Sequence, residues 1–384
     1  MQHTDFVKIS RLNTKLSFEK KIESLLNDIR NKENVLSLTF YGNSTDEKYD
    51  EEYQEIRLIA GEIFRENIPL ITYIIQTPGT WNEIALETLY KPSFIISATF
   101  CDAYGIRYVL METAKTRILM TEGIQSDFSK TDVGTQAFDI FTKATCVLNK
   151  HQMQINDIVR QWNYIGHITG INGEIQHYQK FNDIRADFYQ KCDWGSRGYP
   201  AATGIGMMTN RLIVNFIALH SFDNHIYIHS LDNPLQTAAH AYSEKVLVGL
   251  SKNERHATPK FERAKIISNE SFGICFISGT AAIRGEQSMN NQNVTLQTRN
   301  TLENIKYLIS DINLSENGIR GKISTPSLLR VYVKHKKDFT TVEAEILKLW
   351  PETPAIYLEA DICREELLVE IEGIAMLHEN ANMC

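Results

Sequence analysis

Near its C-terminus the chain reads Leu367-Leu368-Val369-Glu370-Ile371-Glu372, a strand-like alternation. Glu370 and Glu372 fall on one face, and Leu367, Val369 and Ile371 on the other. A carboxylate beside so much apolar surface either faces water or is buried for a reason. A short polar turn separates this strand from another at 354–359. Upstream, strand-length apolar runs alternate with helical spacing. A strand is expected over 275–282. A helix over 293–309 places Val294, Leu302, Ile305 and Leu308 on its apolar side. A strand at 328–333 and a second helix over 339–350 follow, and Pro351 stops that helix.

The same order occurs earlier. A hairpin at 107–112 and 116–120 leads to a helix over 132–149, a strand at 157–165 and a helix over 176–190. Strands at 200–206 and 212–217 close the series. Several marks coincide in order: Gln136 with Gln297, Arg160 with Arg330, Pro200-Ala201 with Pro354-Ala355, and Asn215 with Glu370. A fainter third copy opens the chain, with helix 18–32, strand 35–41, helix 51–65 and strand 69–75. Recurrence of one element order signals a repeated architecture. The expected fold is α+β, with mixed sheets and helices packed on one face. Three tandem lobes are expected: a partial one at 1–92, a central one at 93–245 and a C-terminal one at 246–384. No Pro-rich linker separates them, so they are expected to pack together. The polar stretch 245–260 is the longest expected insertion.

Composition narrows the function. With 384 residues and 43% apolar content the chain can bury more than one small core. A net charge of −7 argues against general nucleic-acid or anionic-membrane binding, though not against a local basic pocket. No apolar run reaches the roughly 18 residues of a membrane span, and the first residues contain no signal-peptide core. Cys101, Cys146, Cys192, Cys275, Cys363 and Cys384 are scattered without metal-ligand spacing, which suits a reducing compartment. A cytoplasmic protein is expected. His225 and His229 lack a third ligand in register, so no metal site is expected. Gly204-Ile205-Gly206 lacks the Lys-Ser/Thr ending of a phosphate loop.

The β-α-β-α-β-β order, the helix segment Gln297-Thr298-Arg299-Asn300 and the Val369-Glu370-Ile371-Glu372 ending resemble the YjgF/RidA family of small trimeric proteins with sites at subunit boundaries. Three linked copies would make a pseudo-trimer from one chain, with a monomer sufficient for a complete site. One branch is closer. Trp162-Asn163-Tyr164-Ile165-Gly166, Asn172-Gly173, Tyr178-Gln179-Lys180-Phe181-Asn182, Asp232-Asn233-Pro234-Leu235-Gln236, Ala241-Tyr242, Phe261-Glu262-Arg263-Ala264 and Phe276-Ile277-Ser278-Gly279-Thr280-Ala281 together resemble the chorismatases, from about residue 100 to 376. That resemblance implies release of pyruvate from chorismate, with 3- or 4-hydroxybenzoate or a dihydroxycyclohexadiene carboxylate as the other product. It implies no cofactor and no metal.

The chemistry asks for matching residues. Breaking the enol ether needs a proton on its methylene carbon, hence an acid that stays protonated near neutral pH. The family places its catalytic acid at Glu370. Asn215, at the matching place in the central copy, cannot act as an acid, so one site per chain is expected. Glu372 is the second choice and Glu359 a poorer one. Arg263, placed by the Phe-x-Arg-Ala match, suits bidentate carboxylate binding. Tyr242 is expected to hydrogen-bond the substrate, and Arg330 to hold its other carboxylate. The resemblance puts Cys363 and a small residue after Gly279, either Ala281 or Ala282, in the wall that shapes the product; a cysteine there leans toward a hydroxybenzoate. Cys363 is not expected to be a nucleophile. Two other readings remain. One is an imine or enamine deaminase of the wider family, which typically has an Arg after Pro-Ala where this chain has Ile356 and Ala202. The other is a non-catalytic metabolite-binding protein.

Overall fold

The computed structural model describes residues 7–12, 14–79, 84–92, 95, 97–127, 132–223, 225–244, 256–270, 272–289 and 293–378. Most of the expected 245–260 insertion lies outside them. Three mixed sheets carry the chain, and their strand orders repeat. In the last unit Tyr227–Leu231, Ala264–Asn269, Phe272–Ala281, Val369–Met376, Pro326–Val333 and Ala355–Glu359 lie side by side in that order. In the middle unit the order is Thr99–Ala103, Ile106–Glu112, Thr116–Thr121, Leu212–Ser221, Ile158–Gly166 and Ala201–Met207. The first unit has Val7–Leu12, Ile84–Tyr90, Val35–Gly42 and Leu70–Ile75. Each unit has one parallel pair, the last two strands of its order. A parallel pair requires a crossover, which the helices Asp46–Phe64, His177–Tyr189 and Phe339–Leu349 supply.

The preceding helix of each unit, Phe18–Asn27, Val133–Lys150 or Val294–Leu308, starts at a side-chain cap. Ser17, Asp132 and Asn293 each accept a hydrogen bond from the backbone N–H three residues on. Gln136 and Gln297 repeat a second device. Each side chain accepts from a backbone N–H at the start of the closing segment, Leu212 at 2.8 Å and Leu368 at 2.9 Å, and donates to a nearby carbonyl.

Strand register aligns the three units residue by residue. Thr39 is flanked by Thr72 and Glu87, Trp162 by Thr203 and Asn215, and Tyr332 by Leu358 and Glu370. Glu87, Asn215 and Glu370 therefore occupy one structural position. The Pro-Ala correspondence slips by one: Arg160 faces Ala201, but Arg330 faces Ile356.

The units close into a ring. The edge strand of the first meets the second where Gly123 N donates to Thr72 Oγ1 at 2.8 Å. That of the second meets the third where Gly279 N donates to Thr203 Oγ1 at 3.1 Å. That of the third returns to the first, with Gly79 N on the Tyr357 carbonyl at 2.9 Å and Glu359 N on the Thr77 carbonyl at 2.8 Å. The first unit thus completes the ring. Among the described residues no helix is long and apolar enough to cross a membrane.

Candidate active site

Glu370 is buried, at 4% exposure, as is Glu372 at 1%. The alternation seen in the sequence therefore points both acids into the junction between the second and third units rather than into water. The strand opposite carries an irregularity between Ile277 and Thr280, at Ser278-Gly279. Such a bulge re-aims the local chain. Here it leaves Gly279 against the acid: a Cβ on Gly279 would stand 2.1 Å from Glu370 Oε1. Only glycine fits. Gly279→Ala is expected to displace the Glu370 carboxyl from this position with an unchanged circular dichroism spectrum; a crystal structure of the variant with the carboxyl in place would show that the close approach is not critical.

A small cavity of about 60 Å³ opens beside Glu370. The second unit supplies Tyr178, Gln179 and Arg185 from one helix and Ala202 and Gly204 from its edge strand; the third supplies Arg263, Ala281, Cys363 and Arg364. Tyr242 closes one side, its hydroxyl 2.7 Å from an Arg263 terminal nitrogen. Arg263 also donates to the Thr237 carbonyl at 2.5 Å, and its buried Nε has no partner among the described residues.

The structure thus brings together Glu370, Arg263, Tyr242, Cys363 and Ala281 of the residues expected from sequence. It leaves two out. Ala282 is buried and does not line the cavity. Arg330 is held elsewhere: Glu87 of the first unit takes its Nε and one terminal nitrogen at 2.7 and 2.5 Å, and Glu372 takes the other at 2.8 Å. With its charge shared between two carboxylates and no part of it lining the cavity, Arg330 is not placed to clamp a ligand at Glu370.

Two functional candidates escaped the sequence reading. Arg185 is 2% exposed and lines the cavity. Its one hydrogen bond among the described residues is to Asn182 Oδ1, at 2.6 Å, and its Nε has none. A buried guanidinium with no carboxylate partner is expensive unless an anion completes it. A signal was present: Phe181, Arg185, Phe188 and Tyr189 share the buried stripe of one helix. Tyr178 is the other, its ring against Gly204, where a Cβ would meet it at 2.8 Å.

The two acids are electrically unlike. Burial pushes Glu370 up to about 8, with a further upward push from the Glu372 charge; Arg263 and Arg160 pull the other way. Burial also works against ionisation of Glu372, but Arg160 and Arg330 outweigh it and hold Glu372 below the usual carboxylate range. Arg160, Thr203, Trp162, Tyr332 and Arg330 all donate to it. Burial and the neighbouring Glu370 push the Cys363 thiol up to about 12. It is a neutral wall atom at pH 7, not a thiolate.

Residues 110–218 match the family model described as Chorismatase FkbO/Hyg5-like, N-terminal. A 3-hydroxybenzoate synthase of Streptomyces hygroscopicus is 32% identical over 229 residues, 58% of this chain and 64% of that protein. A chorismatase of Streptomyces rapamycinicus is 32% identical over 225 residues, 56% and 63% of the two chains. The chain thus spans a little under two thirds of the length of the curated relatives it matches. A solved chorismatase structure shares the fold, with a TM-score of 0.69 at 22% identity over 96% of this chain and 98% of that one. The chain is chorismatase-like in both sequence and fold.

Proposed function

We propose that this chain releases pyruvate from chorismate and forms a hydroxybenzoate, with Glu370 as the carbon-protonating acid. The observation that carries the reading is a buried carboxyl raised to about 8 in a cavity that also holds Arg185 and Arg263. With Glu370 neutral, the cavity presents cationic groups to a substrate with two carboxylates. The matched relatives, one a 3-hydroxybenzoate synthase and one a chorismatase, support the same substrate. A cytoplasmic monomer belongs to this reading, since one chain supplies the whole ring. So does a division into three lobes, although the expected boundary at 245/246 moves upstream: Tyr227–Leu231 pairs with Ala264–Asn269 and belongs to the last sheet.

In the proposed course, Glu370 gives its proton to the methylene carbon of the enolpyruvyl group. The oxocarbenium ion that forms weakens the bond between the ring and the ether oxygen. That bond breaks with its electron pair going to oxygen, and pyruvate leaves. The neighbouring ring hydroxyl captures the ring carbon and its proton returns to the Glu370 carboxylate, leaving an epoxide across the two ring carbons. One epoxide C–O bond then opens as the oxygen takes up a proton, the carbon that keeps the oxygen gives up its hydrogen as a proton, and the ring aromatises to the hydroxybenzoate. The alternative capture is by water, which gives the diol. Tyr178, Leu367, Ile283 and the Cys363 thiol give the cavity one apolar wall, and exclusion of water from that side of the substrate would favour the ring hydroxyl. A cavity of about 60 Å³ is room for a few waters rather than for the substrate. Entry of the substrate therefore requires the cavity to widen.

The direct test is incubation with chorismate, with pyruvate followed by a coupled NADH assay and the ring product identified by chromatography. Stoichiometric pyruvate with 3- or 4-hydroxybenzoate is expected. Chorismate bound without pyruvate release would leave a binding protein instead. Arg185→Met tests the carboxylate site. It removes an unpaired buried charge, so stability should hold or rise. The loss of a charge-assisted pair with substrate should raise KM for chorismate by about 10- to 100-fold. An unchanged KM would remove Arg185 from the site.

A further inference from the structure

The acid's cavity is not the larger one in the molecule. A space of about 360 Å³ lies between the inner faces of the three sheets, against about 60 Å³ at Glu370. Side chains of all three units line it. Ile267, Ile274 and Phe276 form the wall from the third, Met120 and Ile217 that from the second, and Leu89 part of that from the first. Trp162 and Tyr164 give it an aromatic end, where the Arg330 guanidinium stacks 5.0 Å from the Trp162 ring.

Two features set the chemistry of an occupant. The first is charge. Glu87 and Arg330 reach this wall, but they pair with each other, and Arg330 pairs also with Glu372. His225 is engaged by Asp223 and Thr116. An anion entering here meets a guanidinium whose charge two carboxylates already offset, in contrast to Arg185 and Arg263 at the other cavity. The second is the scatter of hydroxyls on an apolar surface: Ser37, Thr39, Thr72 and Thr121 stand among the aliphatic side chains. They suit a single peripheral N–H or O–H rather than a polar ligand. The volume lies within the range of small-molecule sites, roughly 300–1,000 Å³, and is more than twice the ~150 Å³ that takes up benzene in an apolar core.

We infer that this central cavity is a second ligand site, taking a neutral, largely apolar ring compound with one hydrogen-bond donor. The inference stands apart from the reading of the Glu370 pocket and does not require chorismate to be a substrate. It gives the ring of three units a role beyond framing one junction, because no single sheet encloses the space.

Indole is a suitable probe, neutral with one N–H, and benzoate is the charged control. Millimolar indole is expected to raise the melting temperature by about 2 °C or more, and benzoate to leave it unchanged. Met120→Phe and Ile267→Phe, each filling the cavity from a different wall, are expected to abolish the indole shift while the circular dichroism spectrum is kept. No shift with indole, an equal shift with benzoate, or a shift that survives both substitutions overturns the assignment. Should neither variant fold, crystals of the unaltered chain under xenon decide it: xenon among Met120, Ile217 and Ile267 is expected, and its absence there overturns the site.

Discussion

Glu370→Gln is expected to lower pyruvate release by at least about 100-fold, the ordinary share of a general acid, while leaving chorismate binding and the fold in place. The reasoning turns on which form of Glu370 the protein holds. At neutral pH the buried carboxyl is protonated, because burial and the Glu372 charge lift it to about 8. Glutamine matches that neutral form in shape and charge, so the cationic surroundings at Arg263 and Arg185 are not disturbed. What the amide lacks is a proton acidic enough to place on carbon. The loss should therefore fall on kcat rather than on KM. The pH profile gives the same assignment independently. The acid form prevails below about 8, so turnover by the unaltered chain should hold through neutral pH and fall as the pH rises through that value. Dissociation of the acid would be absent from the residual activity of the variant. A glutamine protein that released pyruvate at the native rate would move the acid role elsewhere.

How far the chain could be read without its coordinates depended on whether a contact was local. The helix caps at Asp132 and Asn293 and the two glutamine clamps recur at matching places, so periodicity and element order were enough to expose the second and third units. Glu370 was legible for the same reason: an acid in an apolar strand, with Asn215 at its counterpart. Arg330 was not, because its partner Glu87 lies 243 residues away in the fainter copy. From its own strand, an arginine among apolar neighbours looks the same whether it awaits a substrate or is already paired. Glu87 had a signal in retrospect, a lone acid in the apolar run Ile84-Ala85-Leu86, at the very position that Glu370 fills in the third unit. Two of three equivalent positions kept a carboxylate, one paired with arginine and one left to be protonated. That division is electrostatic and three-dimensional, and no single strand displays it. Arg185 carried no motif of its own, and its burial becomes visible only when its helix packs against the second unit's sheet.

Glu372→Gln should therefore act in two ways that can be measured separately. The first is stability. Arg160 is 1% exposed and has Glu372 as its carboxylate partner. Removing that charge leaves Arg160 with no carboxylate among the described residues, only the Thr203 hydroxyl and the face of the Trp162 ring, while Glu87 still holds Arg330. Stranding one buried ion of a pair costs about 3 kcal/mol or more, which a denaturation midpoint will show at neutral pH. The sign follows from the depressed carboxyl: the pairing stabilises the fold above the ordinary carboxylate range and is lost as the pH falls below that range through the lowered value of the folded state. The second effect is on Glu370. Two anions, Glu87 and Glu372, now balance two cations, Arg160 and Arg330. Glutamine at 372 removes the like charge two residues along the strand and leaves the network net positive. Both changes favour the Glu370 carboxylate, and the other groups facing it, Arg263, Arg185 and Arg364 as cations and Tyr178 and Cys363 as neutral donors, are unaltered. The alkaline limb of kcat/KM should move down from about 8, lowering activity at neutral pH although the substituted residue lines no part of the cavity. A merely structural Glu372 would lower the midpoint and leave the limb where it is. Movement of the limb to lower pH assigns to Glu372 the task of keeping its neighbour protonated.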